Sequence, residues 1–278
     1  MKTIRNHLPV LLGLHSWSHP RGGPVPLLLG IGAAFLLLLF PSHLAAAPLA
    51  FKSLETQTTL LELFTSEGCS SCPPAEKWLS GLKESSGLWT HFVPLAFHVD
   101  YWDYLGWRDP WGAASYSERQ RAYAELWHVD SVYTPGFVLN GRDWRPLWRP
   151  KSGPPTSARK TGVLEARSAD QRHWVVSFVP SLHSAGHCEL HAALLVSGLI
   201  SKVKAGENRG EELRHDFVVT QLVARPLTIR AERFEGEFEL IPPKNAAERL
   251  AIAVWITESS QLEPLQAIGG WLNLPGPQ

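Results

Sequence analysis

Cys69-Ser70-Ser71-Cys72-Pro73-Pro74 is the stretch of this chain best equipped for chemistry. Two thiols spaced C-x-x-C can cycle between a dithiol and a disulfide. They follow the apolar run Thr59-Leu60-Leu61-Glu62-Leu63-Phe64 and precede a helix-compatible segment whose prolines suit a first helical turn. A helix start presents unpaired backbone N–H groups and the positive end of its dipole. Both favour a thiolate, so Cys69 is expected to have a lowered pKa and to act as the nucleophile. The same spacing also occurs in zinc sites and structural loops. Glu62 lies seven residues before Cys69 on the preceding strand. It is a candidate to take the proton of Cys72 if burial raises its pKa, and the alternative is a solvent-facing strand residue.

Other residues could join the pair. His98, Asp100 and Asp103 follow a second apolar run, and strand ends line the crevice of α/β sheets. They read as a ligand set or proton relay, or as a structural hydrogen-bond set. Cys69, Cys72 and His98 together would suit soft Cu(I). A zinc site is poorer, because structural zinc takes four ligands and only two cysteines are close. His183, His187, His191 and His215 are scattered without a spacing that defines a metal site. Cys188 is solitary and reads as a small buried hydrophobe. Tyr101, Trp102, Tyr104, Trp107 and Trp111 read as a docking surface or as the core of an inserted loop.

The elements that must position these groups alternate. Strands are expected over Thr59–Phe64, Phe92–Val99 and Phe137–Leu139, with helices over Pro74–Leu82 and Ser115–Trp127. Ser115 with Glu118 forms a capping-box pattern. Asn140-Gly141 is a hairpin turn signal. Strand and helix in alternation predict an α/β layer fold over 56–150. Residues 142–162, rich in Pro, Arg and Trp, predict an irregular connector. Beyond it, Trp174–Val179, Glu189–Ser197, Phe217–Val223, Phe234–Ile241 and Leu250–Thr257 suit strands. They predict a β-rich antiparallel region over 163–272 packed on the first.

The string from Glu62 to Glu76, Phe97-His98-Val99-Asp100-Tyr101-Trp102-Asp103, Tyr116, Arg119 to Arg121, Tyr123 and Val132-Tyr133-Thr134-Pro135 carry a family resemblance. So does Gly206-Glu207-Asn208-Arg209-Gly210. Over roughly residues 59–260 the chain resembles a family of secreted bacterial thioredoxin-like proteins of unassigned function, domain of unknown function 1223. The resemblance implies an α/β thioredoxin-like fold followed by the β-rich region. It implies Cys69 as attacking thiol, Cys72 as resolving thiol and Pro135 as a cis-proline against a mixed disulfide. Two departures stand out. Gly68 occupies the position where reducing thioredoxins usually carry Trp, and the segment after Gly141 is unsuited to a terminal helix.

Composition narrows the function classes. Lys plus Arg and Asp plus Glu are both 26, so no basic footprint for nucleic acid exists. The N-terminus runs basic (Lys2, Arg5, Arg21), apolar (Leu27–Phe40), then small (Ala45-Ala46-Ala47), the order of a secretory signal over 1–47. An uncleaved membrane anchor is the alternative and the only membrane contact expected. The expected setting is therefore periplasmic or secreted, where a Cys pair persists as a disulfide. The leading expectation is a thiol-disulfide oxidoreductase acting on protein or small-molecule thiols and disulfides, with no cofactor. A copper-handling protein using Cys69, Cys72 and His98, or a binding module with a structural disulfide, remain open.

Overall fold

The computed structural model describes residues 48–145, 153–181, 186–243 and 249–273. The expected export segment, 1–47, and His183 lie outside them. No helix among the described residues is long and apolar enough to cross a membrane.

The chain opens with β1 (Leu49–Lys52), β2 (Thr59–Thr65), α1 (Pro73–Gly81), β3 (Phe92–His98), α2 (Ala114–Leu126), β4 (Gly136–Leu139) and β5 (Arg142–Asp143). It continues as strands only: β6 (Gly162–Ser168), β7 (His173–Pro180), β8 (Cys188–Ser197), β9 (Leu199–Lys202) and β10 (Glu212–His215). Then come β11 (Val218–Pro226), β12 (Thr228–Arg230), β13 (Arg233–Glu239), β14 (Arg249–Glu258) and β15 (Pro264–Trp271).

The α/β thioredoxin-like expectation is therefore corrected. The described structure is mainly β, about 46% strand against 13% helix with two α-helices, in large antiparallel and mixed sheets. The strands and helices expected before residue 141 are present, but β3 is not the edge of their sheet. Its free side pairs in parallel with β11 through Val218 and Ala96. The sheet then continues antiparallel through β8 and β14 to β15, giving the eight-stranded order β15-β14-β8-β11-β3-β2-β4-β5. β2 to β5 of the first stretch and β8, β11, β14 and β15 of the second thus share one sheet.

Side-chain parity assigns the layers. β8 and β14 are buried on both faces and read as unbroken apolar runs, as covered strands do. One face (Leu190, Leu194, Ile252, Val254) packs against Leu164, Val176, Phe178 and Phe234 of a second sheet ordered β1-β6-β7-β13-β12. The opposite face (Ala193, Leu195, Ala253, Trp255) packs with Tyr116 and Tyr123 of α2. β6 and β7 alternate buried with exposed positions because their outer face meets water. α1 lies on Leu61, Leu63, Ala96 and Phe217 through Ala75 and Leu79. A two-stranded hairpin, β9 with β10, stands beside it.

Local signals played out unevenly. Asn140 and Gly141 both have positive φ, 46° and 81°, and link β4 to β5 as their hairpin signal implied. The expected capping box at Ser115 does not form. α2 begins one residue earlier, with Ala113 as an N-cap that makes no side-chain bond.

Candidate functional site

The backbone winds straight from the cysteine turn into α1. The Cys72 N–H donates to the Cys69 carbonyl at 3.2 Å, and Ala75 and Glu76 N–H groups then donate to the Cys72 carbonyl. Cys69 and Cys72 are joined as a disulfide. Their exposures are 1% and 0%, so neither sulfur faces open solvent.

Three segments enclose the pair. The Thr134–Pro135 peptide bond is cis. The Ser71 hydroxyl is 3.2 Å from Cys69 Sγ and donates to the Thr134 carbonyl at 3.4 Å. Trp102 donates its Nε1–H to Thr134 Oγ1 at 2.8 Å and packs against Gly68, where an added Cβ would stand 2.8 Å from Trp102 Cβ. A tryptophan thus abuts the residue before Cys69, through its Cβ and backbone, and it comes from the loop after β3. The third segment is Gly206–Gly210, between β9 and β10. Buried Asn208 donates to the Glu67 and Cys69 carbonyls at 2.8 and 3.0 Å. Glu207 accepts from the Ser70 N–H and hydroxyl, and those bonds hold its carboxyl below the usual range.

Beside the disulfide lies a buried cluster of carboxylates and imidazoles that the sequence reading did not assemble. It comprises Glu67 in the turn before Cys69, Glu76 on α1, His98 ending β3, Asp109 in the following loop and His215 ending β10. His98 Nδ1 is 2.8 Å from Asp109 Oδ2, which also accepts the Glu67 N–H at 2.8 Å. His215 bonds Glu76 through Nδ1 and Glu67 through Nε2, the latter at 3.1 Å. Thr65 donates to the other Glu76 oxygen at 2.5 Å, and Trp107 Nε1–H to Glu67 at 2.6 Å. Burial alone would push the His215 pKa down, but its two carboxylate partners outweigh it and push it up to about 10. Burial would likewise raise Glu76 and Asp109, but the bond to His215 and the adjoining His98 imidazole, respectively, lead the effects that hold them low.

Other expected site residues fall elsewhere. Glu62 is fully buried on the face of β2 opposite α1, accepting from Arg119 Nε at 2.6 Å and Tyr123 OH at 2.5 Å. The carboxylate on the α1 side is Glu76. Asp100 and Asp103 serve loop geometry, accepting from the Ser117 hydroxyl and the Asp109 N–H. His98 is grouped with Glu76 and His215 rather than with the bonded sulfurs. His191 stacks on Trp255, and His187 is exposed. Cys188 is buried, and desolvation with Glu258 nearby pushes its thiol up to about 11. The aromatics divide: Tyr104 is 78% exposed, Trp102 and Trp107 brace the site, and Trp111 packs at the sheet interface.

Two solved structures share this architecture. Protein AGR_C_4864 from Agrobacterium tumefaciens matches with a TM-score of 0.53 and 21% identity, over 81% of this chain and 98% of that one. HBP35 of Porphyromonas gingivalis matches with a TM-score of 0.50 and 12% identity, over 79% of this chain and 76% of that one. At these identities the likeness concerns fold alone. No curated protein matches the sequence. The model of a family described as a protein of unknown function, DUF1223, matches residues 60–257, and the chain belongs to that family.

Proposed function

We propose that this is an exported thiol-disulfide exchange protein working through Cys69 and Cys72. The observation that carries the reading is a disulfide at the head of α1, in contact through Ser71 with the cis Thr134–Pro135 bond. In the reduced pair, Cys69 as thiolate attacks one sulfur of a substrate disulfide. A mixed disulfide forms, and the first substrate thiol leaves. Cys72 then attacks Cys69 Sγ, releases the second thiol and restores the Cys69–Cys72 disulfide, so two electrons pass to the substrate. A substrate dithiol drives the same steps in reverse. In this reading the helix N-terminus and the Ser71 hydroxyl favour the Cys69 thiolate, and Pro135 takes the role of contacting the mixed disulfide. Because both sulfurs are buried, exchange requires the Asn208 loop to lift. The basic, apolar, small order of 1–47 supports export.

The test is a glutathione redox titration of the protein lacking residues 1–47, with mixed-disulfide trapping by Cys72→Ser. The expected result is a potential within the oxidoreductase range, about −120 to −270 mV, and trapping lost in Cys69→Ser. A pair that stays oxidised below about −300 mV and traps nothing would make the disulfide structural.

A further inference from the structure

We propose that Glu76, His98 and His215 form a binding site for one divalent first-row transition ion, with Glu67 and Asp109 orienting the two imidazoles. The potential ligand atoms lie within 4.8 Å of one another, and all three residues are buried. Metal–ligand distances near 2.1 Å place ligand atoms at most about 4.2 Å apart, so a small side-chain rotation closes the group on an ion.

The orphaned atom is the second observation. His98 is fully buried and its Nδ1 is engaged by Asp109, while Nε2 has no hydrogen-bond partner among the described residues. Burying a ring nitrogen without a partner is unfavourable, and an ion would supply one. With Nδ1–H donated to Asp109, Nε2 carries the lone pair and is the nitrogen left to ligate alongside Glu76 and His215. That is the tautomer a metal requires, set by a carboxylate on the far nitrogen.

The same device occurs twice. His215 Nε2 is held by Glu67, which leaves Nδ1 on the side of Glu76. Glu76 is itself steadied by Thr65 on its other oxygen. Every prospective ligand therefore has an outer partner that fixes its orientation, which an ion-pair network has no need to provide for His98. On binding, the ion replaces the proton shared between His215 and Glu76, and that proton is released.

The donor set selects the ion class. Two imidazoles and one carboxylate suit Zn²⁺, Fe²⁺ or Co²⁺, whereas Ca²⁺ and Mg²⁺ prefer all-oxygen sites. Three protein ligands leave a coordination position for water or a substrate. A cleft of about 350 Å³ between α1 and β10, lined by Glu76, Lys77, Glu212, Arg214 and Asp216 among others, gives a route to Glu76.

This site is independent of the disulfide and is tested with the cysteines oxidised. Titration of chelator-treated protein with Zn²⁺ is expected to show one equivalent bound and a raised melting temperature. Co²⁺ is expected to give a nitrogen-and-oxygen ligand spectrum without a thiolate charge-transfer band, unchanged in Cys69→Ser/Cys72→Ser. His98→Ala and His215→Ala are expected to abolish binding. Asp109→Asn and Glu67→Gln are expected to weaken it about 10- to 100-fold. These two outer variants keep the test valid if a ligand variant fails to fold. Absence of stoichiometric binding, affinity indifferent to Asp109→Asn and Glu67→Gln, or a thiolate band lost with the cysteines would overturn the proposal. None of those outcomes bears on mixed-disulfide trapping, so the exchange reading stands or falls separately.

Discussion

Asn208 ties the disulfide turn to the β9–β10 loop with one side chain. Its amide bonds the carbonyls of Glu67 and Cys69 from a loop 139 residues away from Cys69. Asn208→Ala removes both bonds and costs about 1–3 kcal/mol of local stability. If exchange waits on this loop, reduction of Cys69–Cys72 by dithiothreitol will speed up by about tenfold or more, since 1.4 kcal/mol is a factor of ten in the open population. An unchanged rate would mean that the loop does not gate the sulfurs. On the other side, Gly68→Ala forces its Cβ to within 2.8 Å of Trp102 Cβ. The expected loss is about 1–3 kcal/mol in urea unfolding, as for overpacking elsewhere. The cysteine pair stood out because strand-turn-helix chemistry is local, whereas Pro135 came from the family resemblance and His98 from its place at a strand end, without its partners Glu76 and His215. Glu67, Glu76 and Asn208 sat within family-like strings, but nothing in their spacing linked them to His215. Only the β9–β10 hairpin closes that distance.

The strand period explains where Glu62 went. Leu61, Leu63 and Thr65 face α1, so Glu62 between them must face α2, a deduction open to the sequence once α1 was placed. There it anchors α2. Arg119, whose side chain is 9% exposed, bonds Glu62 and lies over the rings of Phe97, Tyr123 and Trp255 at 5.3–5.6 Å. Arg119→Leu leaves a carboxylate buried and unpaired, which costs about 3–5 kcal/mol in denaturant unfolding. Glu62→Leu combined with Arg119→Leu should cost less than Arg119→Leu alone, because no lone charge remains. Single and double variants of equal stability would refute that coupling. Glu62→Gln is expected to leave the thiol-disulfide exchange rate unaltered, since Cys72 lies beyond the sheet. The elements themselves were mostly legible from apolar runs. β1, β9, β10 and β12 were not, because strands of three or four residues carry too little period to detect, and the longer β6 and β15 were not anticipated either.

At the scale of the molecule, what sequence could not give was the join between β3 and β11. A single parallel bridge, Val218 to Ala96, merges two stretches of chain that differ in local pattern. No periodicity encodes which edges pair. The merged sheet buries polar groups at its centre, and His191 on β8 shows the consequence. Its ring stacks on Trp255 with centroids 5.2 Å apart, and Nε2 lies 3.1 Å from Thr257 Oγ1. Burial, then the positive charge of Arg119 on α2, push its pKa down to about 3; Glu189, 3.8 Å away and partly exposed, does not offset them. An unfolded histidine titrates near 6.5, so between the two values the unfolded chain binds the proton and the folded chain does not. The stability this confers is fully present above pH 6.5 and is lost as pH falls toward 3. The slope is about 1.4 kcal/mol per pH unit, so about 2 kcal/mol disappears between pH 6.5 and 5. Urea unfolding of wild type and His191→Gln across that range measures the difference directly. The two stability curves should converge as pH falls, and curves that stay parallel would show that His191 is not the group responsible.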